Sequence, residues 1–378
     1  MRIGVHLGRL DPESGGAFTF QESIWDELRN LESKHSFVAF HEGRAFNEQD
    51  SDVVALQKPQ AGASETPLAR ACEERQIDLI WFLDNYFQRT DIPYLFTVWD
   101  LQHRLQPFFP EVNVTGWTWD EREDHFGRIL PKAAAVFVGN NTGRQEIIHF
   151  YRLPPERVHA IALPTPSFAL DTVQMAPRRF VPAVPYLYYP AQFWPHKNHI
   201  TVLLALRILR DRYRLRFDVV FSGRDYGNRS YIEEQTSVLG LDEQVHFVGF
   251  VPRQDVIALY QNAFAMIYPS FFGPDNLPPV EAFGLGCPVV AANVAGSDEQ
   301  LGDAALRIDP RDENAFAVAI GRLANEKGLR EELIDKGRAR ARKWTAKEYV
   351  GSALAILDDL GRLRRCWSAT QPYVEFSR

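Results

Sequence analysis

The sequence predicts an α/β protein made of two domains whose parallel sheets face each other across a cleft. Three observations carry this reading. Short, wholly apolar runs of the kind buried parallel strands use alternate with segments of helical periodicity in both halves of the chain. A proline-rich stretch from Leu163 to Pro185 interrupts the two series and denies both helix continuation and central-strand pairing. At 378 residues the chain exceeds what one ordinary core holds.

In order along the chain, "RIGVHLG" opens as a strand and "RLDPESGGAF" follows as a glycine-containing turn. Phe20, Ile24, Leu28 and Leu31 recur at helical spacing, giving one apolar face to lay on a sheet. Three further strands come at Ile77 to Leu83, Tyr94 to Trp99 and Ala134 to Gly139. After the proline-rich stretch a second series begins with the strand "YLYYP" and a helix around Ile200 to Arg212. It continues with the strands "FDVVFSG" and "VHFVGF", the helix "QDVIALYQNA" and the strand "AMIYPS". Tyr349 to Leu363 reads as a last helix. Residues 1–163 form the first domain in this reading, 164–185 the linker, 186–350 the second domain, and 351–378 a C-terminal helical segment that packs back on the first. Ligands of such sheets bind at the carboxyl ends of the strands, hence in the groove between the domains.

Composition narrows the function. Apolar residues at 45% and charged residues at 24% are ordinary globular values. A net charge of -7 argues against a general nucleic-acid binder. Cys72, Cys287 and Cys366 lack the paired spacing of a zinc or redox site and read as reduced thiols of a cytosolic protein. The N-terminal "MRIGVHLGRL" lacks the continuous apolar core of a signal peptide, and no run reaches the roughly 18 to 20 apolar residues of a membrane-spanning helix. The expected location is the cytoplasm, with peripheral attachment to a membrane surface left open.

The most informative stretch is "GPDNLPPVEAFGLGCPVVAAN", Gly273 to Asn293. Proline is tolerated in a first helical turn, so Pro278 and Pro279 mark a helix start. Asp275, Asn276 and Leu277 just before it are placed to offer backbone amides to a phosphate, aided by the positive end of the helix dipole. Glu281, one turn in, can accept the hydroxyls of a ribose, as acidic residues do in nucleotide sites. Taken alone, the stretch reads equally as a plain helix entry with a solvated glutamate. Lys197 and His196, in "YPAQFWPHKNH", and Arg224, in "FSGRDYGN", follow predicted strands at the cleft end and bring two cations toward the same anion.

Taken in order, "YPAQFWPHKNH", "FSGRDYG", "VHFVGFVPRQDVIALYQNAFAMIYPS", "GPDNLPPVEAFGLGCPVVAAN" and "AGSDEQLGDAALRIDP" resemble the nucleotide-binding domain of family 4 (group 1) glycosyltransferases. These enzymes have the GT-B architecture of two Rossmann-like domains, and include bacterial surface-polysaccharide enzymes. In the first half, Gly15 and Gly16 look like the family's glycine-rich loop, and "FTVWDLQHRLQPFFPEV" like its acceptor-side segment. The resemblance implies retaining transfer from a nucleotide sugar without a metal. It implies that Lys197 and Arg224 hold the diphosphate, that Glu281 holds the ribose, and that the amides of Asp275 to Leu277 hold sugar hydroxyls and phosphate. Three departures stand out: Gly273 where the family's E-x7-E pattern has its first glutamate, Trp99 where many members carry a histidine before the aspartate matching Asp100, and Gln192 where many carry a diphosphate-binding arginine. His103 is the candidate to replace the missing histidine's polarity beside Asp100.

The implied mechanism breaks the bond from the anomeric carbon to the nucleotide, with cations and amides placed where phosphate charge develops. Retention without an evident nucleophile points to attack from the leaving-group face, a donor phosphate oxygen helping to take the acceptor's proton. The acceptor is expected to be a glycan or lipid-linked glycan of O-antigen or exopolysaccharide type, and GDP-mannose is the donor guess. Competing readings are a sugar-nucleotide epimerase of the same fold and a non-catalytic nucleotide-binding scaffold. A dinucleotide-dependent dehydrogenase is disfavoured because "GRLDPESGG" lacks the G-x-G-x-x-G spacing. Among the weaker signals, the "DSD" of Asp50 to Asp52 reads as a solvated loop without an adjacent apolar strand rather than a metal site. Trp117, Trp119 and Phe126 read as core before acceptor site. The basic "GRLRRCW" near the end reads as a charged helix end before a contact with anionic lipid.

Overall fold

A computed structural model describes residues 1–8, 15–42, 51–57, 66–113, 117–170, 182, 184–273 and 275–367. The first sheet has seven parallel strands: β1 (Arg2–His6), β2 (Ser36–His41), β3 (Val53–Ala55), β4 (Leu79–Phe82), β5 (Tyr94–Thr97), β6 (Ala135–Val138) and β7 (Val158–Ala160). Their spatial order is β3-β2-β1-β4-β5-β6-β7, with registers such as Val5 beside Ala39 and Trp81. The second sheet has six: β8 (Tyr186–Pro190), β9 (Asp218–Ser222), β10 (Val245–Gly249), β11 (Ala265–Tyr268), β12 (Val289–Ala292) and β13 (Ala305–Ile308). These run in the order β10-β9-β8-β11-β12-β13 and are likewise all parallel.

Strand order reverses between β1 and β4 in one sheet and between β8 and β11 in the other. Such reversals open a crevice at the carboxyl ends of the strands because the flanking connections leave in opposite directions. Among the described residues the cleft at that end is walled by loops that include those after β5, β6, β8, β9 and β11. Central strands such as "LIWF" of β4 are buried at every position, since helices cover both sheet faces.

Segment 163–185 lies between β7 and β8. It holds a short helix, Ser167–Leu170, while 171–181 and 183 fall outside the described residues. The chain's last described helix, Ala346–Arg364, lies against the first helix, Gly16–Asn30, of the N-terminal domain. Tyr349 stacks on Trp81 with ring centroids 6.4 Å apart and meets Phe20 edge-on at 5.4 Å. Arg364 closes the contact on the Asp78 carboxylate at 3.0 Å and sits over Trp367, so the basic cluster near the chain end is partly engaged within the protein. Among the described residues no helix is long and apolar enough to cross a membrane.

Two elements escaped the sequence reading or corrected it. Strand β2, "SFVAFH", pairs with β1 along its length. The "DSD" motif is followed directly by strand β3, contrary to the expectation of no neighbouring strand; Asp50 itself lies outside the described residues. Because β3 runs parallel to β2, the motif sits at the amino end of the sheet, opposite the ligand-facing loops.

Candidate active site

A cleft of about 730 Å³ opens between the two sheets at their carboxyl ends. From the first domain it is lined by Gly15, Gly16, Trp99 and Asp100, and from the second by Gln192, His196, Lys197, Arg224, Asp275, Asn276, Leu277 and Glu281. Each of these residues was singled out in the sequence.

Lys197 is held by its surroundings. The hydroxyl of Tyr189 on β8 donates to the Lys197 carbonyl. The next residue, Asn198, turns the chain at φ 59° into the helix His199–Asp211. Asparagine tolerates that left-handed conformation, and here its buried amide donates to the carbonyls of Pro269, at 3.0 Å, and Pro310, at 2.8 Å. The ammonium then reaches the Tyr268 hydroxyl at 3.0 Å and the Asn276 Oδ1 at 3.5 Å. Arg224 is brought alongside because the amide of Phe193 bonds the Arg224 carbonyl at 2.9 Å, joining the loops after β8 and β9. That junction requires Gly223: at φ 148° a Cβ there would stand 2.3 Å from the Ala191 carbonyl oxygen.

The helix Leu277–Leu285 starts as expected, with Pro278 and Pro279 in its first turn. Its amides are fewer than the sequence suggested. The Asn276 N–H is taken by the Gln300 Oε1 at 3.0 Å, while the Gln300 side-chain amide returns to the Asn276 carbonyl at 2.8 Å. Leu277 is left to supply the first-turn donor, since the two prolines that follow have none. Asp275 also differs from expectation, because its side chain as well as its backbone enters the site. The carboxyl abuts Gly139, where a Cβ would fall 1.4 Å from Oδ2, and approaches the Asn140 Nδ2 at 3.5 Å. Burial pushes it up to about 7, with the nearby charges of Asp100, Glu299 and Glu146 acting in the same direction.

Glu281 lies at 7% exposure and accepts from the Tyr260 hydroxyl at 3.0 Å. Burial raises its carboxyl to about 7 against that hydrogen bond and the Arg253 charge. It is not a solvated helix-entry glutamate. Gly273, at φ 107°, could not carry a side chain here, because a Cβ would sit 2.5 Å from the Asn276 Nδ2. Trp99 fills its position by donating from the indole to the Leu83 carbonyl at 3.2 Å and meeting Phe20 edge-on.

His103 is a correction. Its imidazole is 0% exposed and outside the cleft wall, bonded through Nε2 to Glu123 at 2.7 Å and stacked on Phe126. A residue on the inward face of the short helix Gln102–Leu105 points into the domain, so proximity to Asp100 in sequence did not become proximity in the cleft. Trp117, Trp119 and Phe126 pack around His103 and His125 and do not line the cleft. Asp100 does, and its Oδ1 accepts from the Gln102 amide at 3.0 Å with Arg122 3.7 Å away. Gly15 and Gly16 also line it, at the start of the first helix; a Cβ on Gly16 would meet Leu277 at 3.5 Å, so this helix start faces that of Leu277–Leu285 across the cleft.

The two domains touch around the cleft through residues the sequence did not single out. The Glu299 carboxylate of the second domain accepts the amides of Asn141, at 2.9 Å, and Thr142, at 3.2 Å, at the start of the helix Asn141–Tyr151 of the first. Arg253 pairs with Glu22, and Gln106 donates to the Phe271 carbonyl at 2.8 Å. Glu111 accepts from the His196 amide at 3.1 Å and from its Nδ1. A carboxylate partner far away in sequence leaves no periodic or local signal.

Comparison with known proteins agrees with this architecture. The family pattern of glycosyl transferases group 1 matches residues 174–340, which hold the second sheet. The chain is 27% identical over 224 residues to the O-antigen chain mannosyltransferase B of Escherichia coli, an alignment covering 57% of this chain and 58% of that protein. It is 30% identical over 128 residues to the O-antigen chain mannosyltransferase RfbU of Salmonella typhimurium, covering 34% of this chain and 35% of that one. Both alignments span less than two thirds of the relative. The crystal structure of HepE from Anabaena in complex with UDP and glucose superposes with a TM-score of 0.71 at 16% identity, covering 94% of this chain and 99% of that one. Residues 174–340 thus match the group 1 glycosyltransferases, and the chain is a two-domain protein of the GT-B fold that resembles bacterial surface-polysaccharide glycosyltransferases.

Proposed function

We propose that this protein is a retaining, metal-independent hexosyltransferase of bacterial O-antigen or exopolysaccharide synthesis. It takes a sugar from a nucleotide sugar, with GDP-mannose the donor suggested by the two O-antigen mannosyltransferases it resembles. It passes the sugar to a glycan or lipid-linked glycan in the cytoplasm, a lipid-linked acceptor bringing it to the inner face of the membrane. The observation that carries the proposal is the convergence of Lys197, Arg224, the start of helix Leu277–Leu285 and the buried carboxyl of Glu281 in one interdomain cleft. Two cations and a helix N-terminus suit a diphosphate, and a carboxylate deeper in the wall suits ribose hydroxyls. The cations supply the charge stabilisation at the leaving phosphate that a metal provides elsewhere. Neither an epimerase nor a non-catalytic scaffold is favoured by the family match or by the named relatives.

Incubation with UDP-, GDP- and dTDP-sugars and a lipid-linked glycan panel, followed by analysis of product linkage, tests this. Transfer with retained anomeric configuration, unaffected by EDTA, is expected, as is a loss of about a hundredfold in Lys197→Ala and in Arg224→Ala with the fold intact. Epimerised nucleotide sugar without a transfer product, or wild-type rates in both variants, would overturn it.

A further inference from the structure

Beside the expected phosphate site the cleft holds a histidine and carboxylate pair drawn from different domains. His196 immediately precedes Lys197 and lines the cleft. Glu111, at 4% exposure on the helix Pro110–Asn113, accepts from both the His196 backbone amide and its Nδ1. Gln102, which also lines the cleft, approaches the same oxygen at 3.4 Å. Phe109 meets the imidazole edge-on at 6.3 Å. With Nδ1 committed to a carboxylate, that nitrogen carries the proton, and Nε2 is left as a lone-pair acceptor. A carboxylate that fixes the tautomer of an imidazole in a ligand cleft is the arrangement by which histidine serves as a general base.

We propose that His196, oriented by Glu111, takes the proton of the acceptor hydroxyl during transfer. This rests on the glycosyltransferase reading and replaces the donor phosphate oxygen as the proton's destination. Attack from the leaving-group face places the acceptor hydroxyl next to the departing phosphate, and His196 stands one residue from the lysine assigned to that phosphate. In the step the acceptor oxygen bonds to the anomeric carbon, the bond from that carbon to the phosphate oxygen breaks with its electrons leaving on the nucleoside diphosphate, and the acceptor's proton moves to Nε2. The pair spans the interface, so the base is assembled only when the domains meet.

Neutral His196 is the working form. Burial holds its pKa below the ordinary value, and Lys197 adds to this, while Glu111 and Asp100 oppose it. The rate should therefore fall as pH drops through the His196 pKa. Glu111→Gln removes a charge that favours the imidazolium, so it should move this acid limb to lower pH while lowering kcat.

The test is the pH profile of kcat, measured at saturating donor so that the Glu281 titration does not enter, for wild type, His196→Gln and Glu111→Gln, with titration of free nucleoside diphosphate into each. Expected are a kcat loss on the order of a hundredfold or more in His196→Gln, disappearance of the acid limb in that variant, a downward shift of the limb in Glu111→Gln, and in both a loss of nucleoside diphosphate affinity far smaller than the loss in kcat. A merely structural clasp would weaken nucleotide binding or stability and leave the limb in place. Retention of the acid limb and near-wild-type kcat in His196→Gln would return the proton to the phosphate oxygen and overturn the inference while leaving the transferase assignment standing. Absence of any transfer by wild type would overturn both.

Discussion

At the scale of single residues, Glu281 shows how position decides chemistry. In sequence it is a glutamate one turn into a helix, a place where acidic side chains are commonly solvated. In the fold it is buried against Tyr260, with its carboxyl raised to about 7 by desolvation. A ribose needs the ionised form as hydrogen-bond acceptor, so nucleotide affinity should rise as pH increases through about 7, where Glu281 loses its proton. Glu281→Gln should weaken nucleoside diphosphate binding roughly ten- to hundredfold, from about 1.5 to 3 kcal/mol for a charge-assisted bond. It should flatten that pH dependence and leave pyrophosphate binding largely unchanged. Calorimetric titration of both ligands reads this, and equal losses for the two would mean that Glu281 only orders the helix.

At the scale of elements, the short helix Ser297–Leu301 connects the interface to the donor loop. Its Glu299 receives the first amides of the helix Asn141–Tyr151 of the other domain, and its Gln300 brackets the backbone of Asn276. Arg340 holds the carbonyls of both residues from the helix Leu329–Lys343, which keeps the element rigid. A carboxylate at a helix N-terminus satisfies orphan amides and the positive dipole end together, a contribution of about 1 kcal/mol. Glu299→Ala should therefore shift the balance between closed and open domains about fivefold toward open. Small-angle scattering should report a larger radius of gyration for the ligand-free variant, with denaturant stability of the second domain unchanged. An unaltered scattering profile would show that the contact follows closure without contributing to it.

At the scale of the whole molecule, the chain's last described helix returns to the domain its first strand began. Tyr349 is buried at 1% exposure between Trp81 and Phe20, which makes Ala346–Arg364 part of the first domain's core. Truncation of a large buried aromatic typically costs about 3 to 5 kcal/mol in lost transfer energy and cavity. Tyr349→Ala should show a loss of that size in equilibrium denaturation, carried by the transition of the N-terminal domain. A loss under about 1 kcal/mol would mean that the helix rests on the domain without helping to build it.

The sequence by itself determined the alternating strands and helices, because a strand covered on both faces must be apolar at nearly every position, as "LIWF" and "AMIY" are. It determined the start of helix Leu277–Leu285, and with it the place of Glu281 one turn inside, because proline can occupy only certain backbone positions, and it brought Lys197 and Arg224 to the cleft, because loops that follow parallel strands lie at one end of the sheet. Only the tertiary structure decided that His103 turns inward to Glu123, that Gln300 takes the Asn276 amide, and that Glu111 and Glu299 cross between domains. Glu111 and His196 are separated by 85 residues and Glu299 and Asn141 by 158. Local propensity and periodicity act over a few residues, whereas such partners are chosen by the packing of two sheets, so that information exists only once the chain has folded.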